Sequence, residues 1–185
     1  ALTPPTASLF GTDVNTLTLT DLTSSLQMTG ATTVPGKIRA KLRSLPGGDF
    51  SVILKFAATS FRTQFNGGGI IFRDTTATPK FATCQYVTVA DELAAGSDNW
   101  TDKDTYGSSV AGGQTFGKGD ILPTWLKCVF HSSNSDIDCY WSFNGIDWIS
   151  IGTNTSLGTA DAFGIGFVIN SSTAPSAWIE HWSVV

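Results

Sequence analysis

The stretch from Trp125 to Ile151 reads WLKCVFHSSNSDIDCYWSFNGIDWISI, and its alternation of apolar and polar residues predicts two consecutive β-hairpins. In the first hairpin the two apolar sets face each other when Cys128 lies opposite Cys139. The same register places Leu126 opposite Trp141. The two apolar sets are Leu126, Cys128 and Phe130 on one strand and Ile137, Cys139, Trp141 and Phe143 on the other.

The second turn, Phe143-Asn144-Gly145, predicts a three-residue hairpin loop whose glycine takes a positive φ. That loop pairs Tyr140 with Trp148 across the two strands and buries both Ile149 and Ile151. A two-residue turn over the asparagine and the glycine is the alternative, and it would turn Trp148 inward because a one-residue slip exchanges the faces of a strand. We favour the three-residue loop because it buries both isoleucines.

These residues carry a resemblance to a known superfamily. The hairpin YWSFNGIDW (Tyr140–Trp148) combines with the runs DFSVIL (Asp49–Leu54), GGIIFRD (Gly68–Asp74) and FGIGF (Phe163–Phe167). Together they resemble concanavalin A-like lectin/glucanase domains, from about Asp49 to the C-terminus. The hairpin is most similar to an S-x-D-G-x-x-W type found in some bacteriophage virion proteins and in secreted carbohydrate-active proteins, with Asn144 where aspartate is usual. The resemblance implies an all-β, two-sheet antiparallel jelly-roll sandwich and, by itself, no activity.

Composition agrees with one globular β-domain of 185 residues that is rich in phenylalanine (12) and glycine (19). We expect residues 1–12 to form an extended N-terminal arm and residues 13–185 to form a single β-sandwich domain. A net charge of −4 argues against nucleic acid as a partner, since such proteins need a basic face. The chain has no apolar run long enough to predict a membrane span.

Period-2 patterning predicts strands over most of the chain. They lie near residues 16–20, 26–29, 37–44, 50–58, 68–74, 80–89, 163–169 and 178–184. The polar, glycine-rich segment 90–123 breaks this rhythm and predicts a long loop, which in compact domains is usually functional or mobile.

Four cations at alternate positions are predicted to line the outer face of one strand; they are Lys37, Arg39, Lys41 and Arg43. One interpretation is a solvated face that opposes edge-to-edge aggregation. The other is an electrostatic contact with an acidic polysaccharide or a neighbouring subunit.

Three cysteines, Cys84, Cys128 and Cys139, are an odd number and do not make a disulfide framework. We expect reduced thiols; the alternative is a bridge between Cys128 and Cys139, which the predicted register places directly opposite each other. The spacings lack the paired short intervals of a zinc site. A calcium-loop fragment, D-x-D-x-x-G, begins at Asp102 with Asp98 upstream, but Gly113 stands where an EF-hand needs glutamate. Calcium is therefore a minor alternative to the expectation of no cofactor.

Catalysis is not expected. Glycosidases need two carboxyl groups at a defined separation, and the E-x-D-x-E strand motif that the resemblance implies for glucanases is absent. Glu92 is predicted to lie in the long loop, and Glu180 has no acidic neighbour at even spacing. Asp136 and Asp138 flank a hairpin turn, where solvated aspartates are usual. No G-x-S-x-G motif is present, and the two histidines are predicted to be strand-surface residues.

Sugar rings are bound by stacking on aromatic side chains and by hydrogen bonds from Asn, Asp and Gln. Two groups of residues are candidates, although each could serve packing instead. The first, in the predicted long loop, is Trp100, Tyr106, Asp98 and Asn99; the second is the predicted cross-strand pair Tyr140 and Trp148.

The leading hypothesis is a non-catalytic glycan-binding or adhesion module that contacts host surface polysaccharide. It would act as a homo-oligomer or in many copies, beside other subunits on a phage virion surface or outside the cell, because weak sites gain from avidity. The second hypothesis is a structural virion protein, a capsid decoration or tail component. The third is a divergent glycoside hydrolase.

Overall fold

The computed structural model describes residues 4–30, 37–59, 65–89, 92–117, 123–169 and 174–185. Over these ranges the chain is mainly β-strand, with one 3₁₀ turn at Ala7–Leu9. The strands are β1 (Thr12–Val14), β2 (Leu17–Asp21), β3 (Leu26–Gly30), β4 (Lys37–Ser44), β5 (Phe50–Thr59), β6 (Gly67–Asp74), β7 (Phe81–Val89), β8 (Glu92–Trp100), β9 (Tyr106–Phe116), β10 (Trp125–His131), β11 (Asp136–Ser142), β12 (Ile149–Asn154), β13 (Ala160–Ile169) and β14 (Ser176–Val184). Within the described ranges, no helix is both long and apolar enough to cross a membrane.

The strands form two seven-stranded sheets. The first sheet has the order β1-β4-β13-β6-β7-β8-β9, and the second has the order β12-β11-β10-β5-β14-β3-β2. Neighbouring strands are antiparallel in both sheets. The all-β, two-sheet antiparallel jelly-roll sandwich expected from the sequence is therefore confirmed.

The main core lies between the sheets and is built around Phe163, which is fully buried. Its ring centroid lies 4.9 Å from that of Phe50, 5.9 Å from that of Phe72 and 5.9 Å from that of Trp182. Phe163 and Phe72 belong to the first sheet, and the other two belong to the second. Because a large-to-small change at such a site costs about 3–5 kcal/mol, this cluster stabilises the sandwich strongly.

The segment that precedes the first strand also joins the core. Phe10 is buried and packs edge-on against Trp182, with ring centroids 5.2 Å apart. The amide of Gly11 donates to the carbonyl oxygen of Leu42 at 3.0 Å. From residue 4 onward, the predicted extended arm is thus packed against the sandwich, and residues 1–3 lie outside the described ranges.

The register predicted for the first hairpin is confirmed: Cys128 pairs with Cys139, and Leu126 pairs with Trp141. These four side chains are buried. The apolar alternation fixed this register because a one-residue slip would have exposed both sets.

The register predicted for the second hairpin is wrong. The loop spans residues 143–148, and Tyr140 pairs with Ser150 instead of Trp148. Asn144 closes this longer turn, because its Oδ1 accepts from the amides of Ile146 and Asp147 at 2.9 Å each.

Two consequences follow for the side chains of the second hairpin. Ile149 is 49 % exposed, whereas Ile151 is buried, so only one of the two isoleucines joins the core. Gly145 has the predicted positive φ, 74°, and a Cβ there would lie 2.8 Å from the indole of Trp125.

The prediction of a long loop over residues 90–123 is also wrong for most of that segment. Residues 92–100 and 106–116 form the paired strands β8 and β9, and Glu92 begins the first of them. Their glycine, alanine and serine residues have little intrinsic preference for strands, so pairing with β7 determines the structure. Residues 90–91 and 118–122 lie outside the described ranges.

Lys41 and Arg43 of β4 do not lie on the outer face of the first sheet, where the sequence placed them. Arg43 pairs with the core residue Phe163 and lies over its ring, at 5.8 Å from the centroid. Lys41 lies on the same side and forms an ion pair with Asp13 of the edge strand at 2.7 Å. The outer face of β4 is instead apolar and joins a second buried cluster, formed by Val14, Ile38, Ala40, Leu42, Ile71, Phe81, Trp100, Ala162 and Val168.

Candidate functional site

A cavity of about 600 Å³ opens on the outer face of the first sheet, over β7, β8 and β9. Apolar side chains form much of its wall, among them Phe65, Val87 and Val168. Glycines on the floor, such as Gly96 and Gly112, add no side chain and so leave room above the sheet. A volume of this size is typical of sites for small molecules.

The polar centre of the cavity is Asp98 on β8. Gln85 of β7 donates its Nε2 hydrogen to Asp98 Oδ2 at 2.7 Å, and Ser109 of β9 lies opposite Asp98 in the ladder. Burial raises the pKa of Asp98, although hydrogen bonds from Ser109 and Gln85 oppose that rise. The carboxyl group is thus fixed in place by neighbours on both sides.

The aromatic wall consists of Trp100 and Tyr106, which pair across the β8–β9 hairpin. Their rings meet edge to face, with centroids 5.4 Å apart and planes at 78°. Tyr106 is 50 % exposed, whereas Trp100 is only 3 % exposed because it packs into the second apolar cluster. The sequence-based expectation of an exposed Trp100 is therefore wrong, although the residue does line the cavity.

Two buried polar atoms of cavity-lining residues have no hydrogen-bond partner among the described residues. They are the acceptor Gln85 Oε1 and the donor Trp100 Nε1. Gln85 is 1 % exposed, so its side chain pays a desolvation penalty that a ligand could relieve. Hydroxyl groups, which both donate and accept, match such a pair of atoms chemically.

The other candidate residues lie elsewhere. Asn99 is next to Asp98 on β8, so its side chain is on the opposite face. Its Oδ1 accepts from the amide of Ser108 at 2.8 Å, which ties it to the hairpin. The structure therefore brings together Asp98, Trp100 and Tyr106, and it separates them from Asn99.

Tyr140 and Trp148 lie on the solvent side of the second sheet, away from the cavity. The ammonium group of Lys127 lies 5.3 Å from the ring centroid of Tyr140 and 5.5 Å from that of Trp148. Both side chains are half-buried. Because one cation already occupies the space over both rings, this pair offers a sugar less free aromatic surface than Tyr106 does.

Sequence reasoning did not identify most of the residues that line the cavity, among them Phe65, Gln85 and Ser109. The alternation of β7 held a usable signal, since Phe81, Thr83 and Gln85 share one face. The sequence analysis did not assign this face to a site, because the neighbouring strands β8 and β9 were interpreted as a loop.

The geometry offers little for acid–base catalysis. Among the described residues that line the cavity, Asp98 is the single carboxylic acid, whereas glycoside hydrolysis needs two. Asp138 lies on the solvent side of the second sheet, where it accepts hydrogen bonds from His131 at 2.9 Å and from Thr153 at 2.5 Å. Glu180 forms an ion pair with Lys55.

The calcium-loop fragment does not assemble into a cation site within the described part of the chain. Asp98 points into the cavity, whereas Asp102 Oδ1 accepts from the amide of Asp104 at 2.7 Å. Asp104 in turn forms an ion pair with Lys103. These carboxylates thus already have protein partners, which for Asp104 also include Asn15 Nδ2 at 3.5 Å.

The three cysteines, in contrast, converge. Cys84 of the first sheet and the pair Cys128 and Cys139 of the second are unbridged and buried, and their sulfur atoms all lie within 4.8 Å of one another. The cross-sheet approach of Cys84 was not apparent from the sequence, because strand pairing within a sheet says nothing about the opposite sheet.

Comparison with known proteins gives matches in structure alone: no protein-family model matches the chain, and no curated protein matches it. A functionally unknown protein from Saccharomyces cerevisiae superposes with a TM-score of 0.70 at 12 % identity, covering 96 % of each chain. Lectin I from Ulex europaeus, solved with the methyl glycoside of α-L-fucose, gives 0.54 at 10 % identity, covering 94 % of this chain and 92 % of the lectin. A bifunctional GH43-CE protein of Bacteroides eggerthii gives 0.63 at 10 % identity, and the match covers 91 % of this chain but 22 % of that one.

Identities this low establish the fold alone. A legume lectin-like domain from Entamoeba histolytica matches in the same way, with a TM-score of 0.53 at 13 % identity. The chain therefore has the jelly-roll sandwich fold of the concanavalin A-like superfamily.

Proposed function

We propose that this domain is a non-catalytic glycan-binding module and that it binds one or a few sugar rings in the cavity of the first sheet. The observation that carries the proposal is the combination in one cavity of an exposed aromatic ring, Tyr106, and a fixed carboxyl group, Asp98. The unpartnered atoms of Gln85 and Trp100 add an acceptor and a donor. Sugar-binding sites need this pairing of an apolar stacking surface with directional polar groups.

The complementarity can be stated group by group. The C–H face of a sugar ring can pack on Tyr106, where the exposed half of the side chain gains from leaving water. Ring hydroxyls can donate to Asp98 and to Gln85 Oε1, which removes the penalty of a buried unpaired acceptor. A hydrophobic ligand without hydroxyls would leave those atoms unpaired and would bind less well.

Two observations support binding without cleavage. The described part of the cavity holds one carboxyl group, and hydrogen bonds from its neighbours already fix that group. Both classes of glycosidase need a second carboxyl group, about 5–9.5 Å from the first. Although GH43 glycoside hydrolases occur among the similar structures, the described lining of this cavity lacks the pair of acids that such hydrolysis requires.

Glycan binding can be tested with an array of bacterial and plant polysaccharides, followed by calorimetry on the best ligand. Tyr106→Ala should weaken binding at least about tenfold, the loss expected from one stacking contact of about 1.4 kcal/mol or more. Tyr140→Ala is the matched control, since it removes a half-buried tyrosine from the opposite sheet. Equal losses in the two variants, or release of reducing sugar by the parent, would contradict the proposal.

Display on a phage particle, in many copies and beside other virion subunits, remains a prediction from the sequence resemblance. Sedimentation analysis of the purified domain would test the oligomeric part of it. A monomer that binds a multivalent polysaccharide weakly would contradict the homo-oligomer but not display in many copies, because many weak sites on one particle together bind such a ligand tightly.

A further inference from the structure

The three cysteines form a cluster that the proposed sugar site does not use. Cys84 on β7 faces Cys128 on β10 and Cys139 on β11 across the space between the sheets, and each is 0 % exposed. Their sulfur atoms lie within 4.8 Å of one another. Among the residues that the structure describes, no other three His, Cys, Asp or Glu side chains bring their ligand atoms together in this way.

A polar group lies beside the cluster in an otherwise apolar layer. Ser97 Oγ is 3.6 Å from the sulfur of Cys139, and the serine is completely buried. The hydroxyl donates to the carbonyl oxygen of Thr83 at 2.7 Å and accepts from Asn154 Nδ2 at 3.0 Å. An oxygen atom is therefore held in place next to the sulfur of Cys139.

We propose that Cys84, Cys128 and Cys139 bind one thiophilic divalent ion, Zn²⁺, between the two sheets. Three sulfurs at about 2.3 Å from a zinc ion are separated from one another by roughly 3.8–4.0 Å. The cluster reaches this arrangement if its sulfurs approach one another by less than about 1 Å. Structural zinc sites are normally tetrahedral, so one further ligand would complete the coordination begun by the three thiolates.

The charges and protons of this site are consistent with zinc uptake. Each thiol gives its proton to water as its sulfur binds, so that three thiolates and one Zn²⁺ carry a net charge of −1.

The sequence concealed this site because its ligands come from different sheets. Zinc motifs are recognised by short paired spacings within one segment, whereas Cys84 lies 44 positions before Cys128 and 55 before Cys139. Bound zinc would link β7 of the first sheet to β10 and β11 of the second. Because all three thiols are buried, the ion must enter while the chain folds.

The test is refolding of the reduced, denatured protein with and without Zn²⁺, followed by gel filtration and metal analysis. We expect about one zinc ion per chain and a higher Tm in the zinc-refolded sample, since a ligand that binds only the folded state stabilises it. Refolding with Cd²⁺ should also produce thiolate-to-metal charge-transfer absorption.

Cys84→Ala should lower the retained zinc at least tenfold, and Cys84→Val, which refills the apolar space, should do the same. His131→Gln is the control, because it removes a surface imidazole and should leave the zinc content unchanged. The proposal is overturned if the parent retains no zinc and shows no cadmium–thiolate absorption, or if the cysteine variants retain as much zinc as the parent.

Discussion

Replacing Trp100 with alanine should destabilise the protein strongly, although its sequence context suggests a tryptophan exposed on a loop. The indole is 3 % exposed and packs in the second apolar cluster beside Phe81 and Ile71. It also meets the ring of Tyr106 edge to face at 5.4 Å. A change to alanine removes all of these contacts at once and leaves a cavity in the outer layer.

The magnitude follows from the size and burial of the side chain. A buried tryptophan changed to alanine costs about 3–5 kcal/mol, against a total stability of about 5–15 kcal/mol for a typical domain. Trp100→Phe keeps an aromatic ring in place and also removes Nε1, a buried donor without a partner among the described residues. Removing that buried, unpaired donor offsets about 1–3 kcal/mol of the lost packing energy. Trp100→Phe should therefore be destabilised by less than half as much as Trp100→Ala.

Urea denaturation followed by circular dichroism measures both differences, provided that the unfolding is two-state. Trp148→Ala is the control, because that indole is only half-buried, lies in the β11–β12 loop beside the ammonium group of Lys127, and should cost about 1 kcal/mol or less. A free energy of unfolding for Trp100→Ala within about 0.5 kcal/mol of the parent would refute the described packing.

Two further predictions concern pH. Burial raises the folded-state pKa of Asp98, so its contribution to stability is present at low pH and is lost as the pH rises through that raised pKa. Asp98→Asn should therefore raise the Tm at pH 7 and lose this advantage below about pH 4. The pKa of Asp138 is lowered, mainly by the Thr153 hydroxyl, so that contact stabilises above the unfolded pKa and is lost as the pH falls. Thr153→Ala should lower the Tm at pH 7 but not at acidic pH. Thermal melts of both variants and the parent, at pH 7 and at acidic pH, test these predictions. A shift in Tm that is the same at the two pH values would contradict the prediction for that variant.

The sequence predicted the strands of the core well because each has a strong apolar alternation. In the hairpin of Cys128 and Cys139, one register buries both apolar sets, and the observed pairing is that register. The second hairpin failed for a physical reason: Asn144 accepts two backbone amides and so stabilises a longer loop than a three-residue turn. Turn length depended on a side-chain hydrogen bond, which apolar patterning does not report.

The candidate site was harder to predict, since its residues lie on strands with a weak signature. Asp98, Trp100 and Tyr106 were identified as candidates by residue type, but they were assigned to a loop. Their convergence on one face follows from the pairing of β8 with β7 and β9. Gln85 was missed because its role depends on a contact with Asp98 across two strands.

The small residues of β8 and β9 gave these strands no apolar alternation in the sequence, and they also leave the space of the cavity open. Whether the sugar occupies that space can be tested at Gly112. Gly112 lines the cavity, and a Cβ added there would meet no atom within 4 Å. Gly112→Val should therefore project into the cavity and block the sugar while leaving the Tm nearly unchanged. Gly69→Val is the contrasting control, because a Cβ there would lie 2.1 Å from the carbonyl oxygen of Cys84 and must move the backbone. If Gly112→Val binds the sugar as well as the parent does, the ligand does not occupy this cavity, whatever its affinity for the domain.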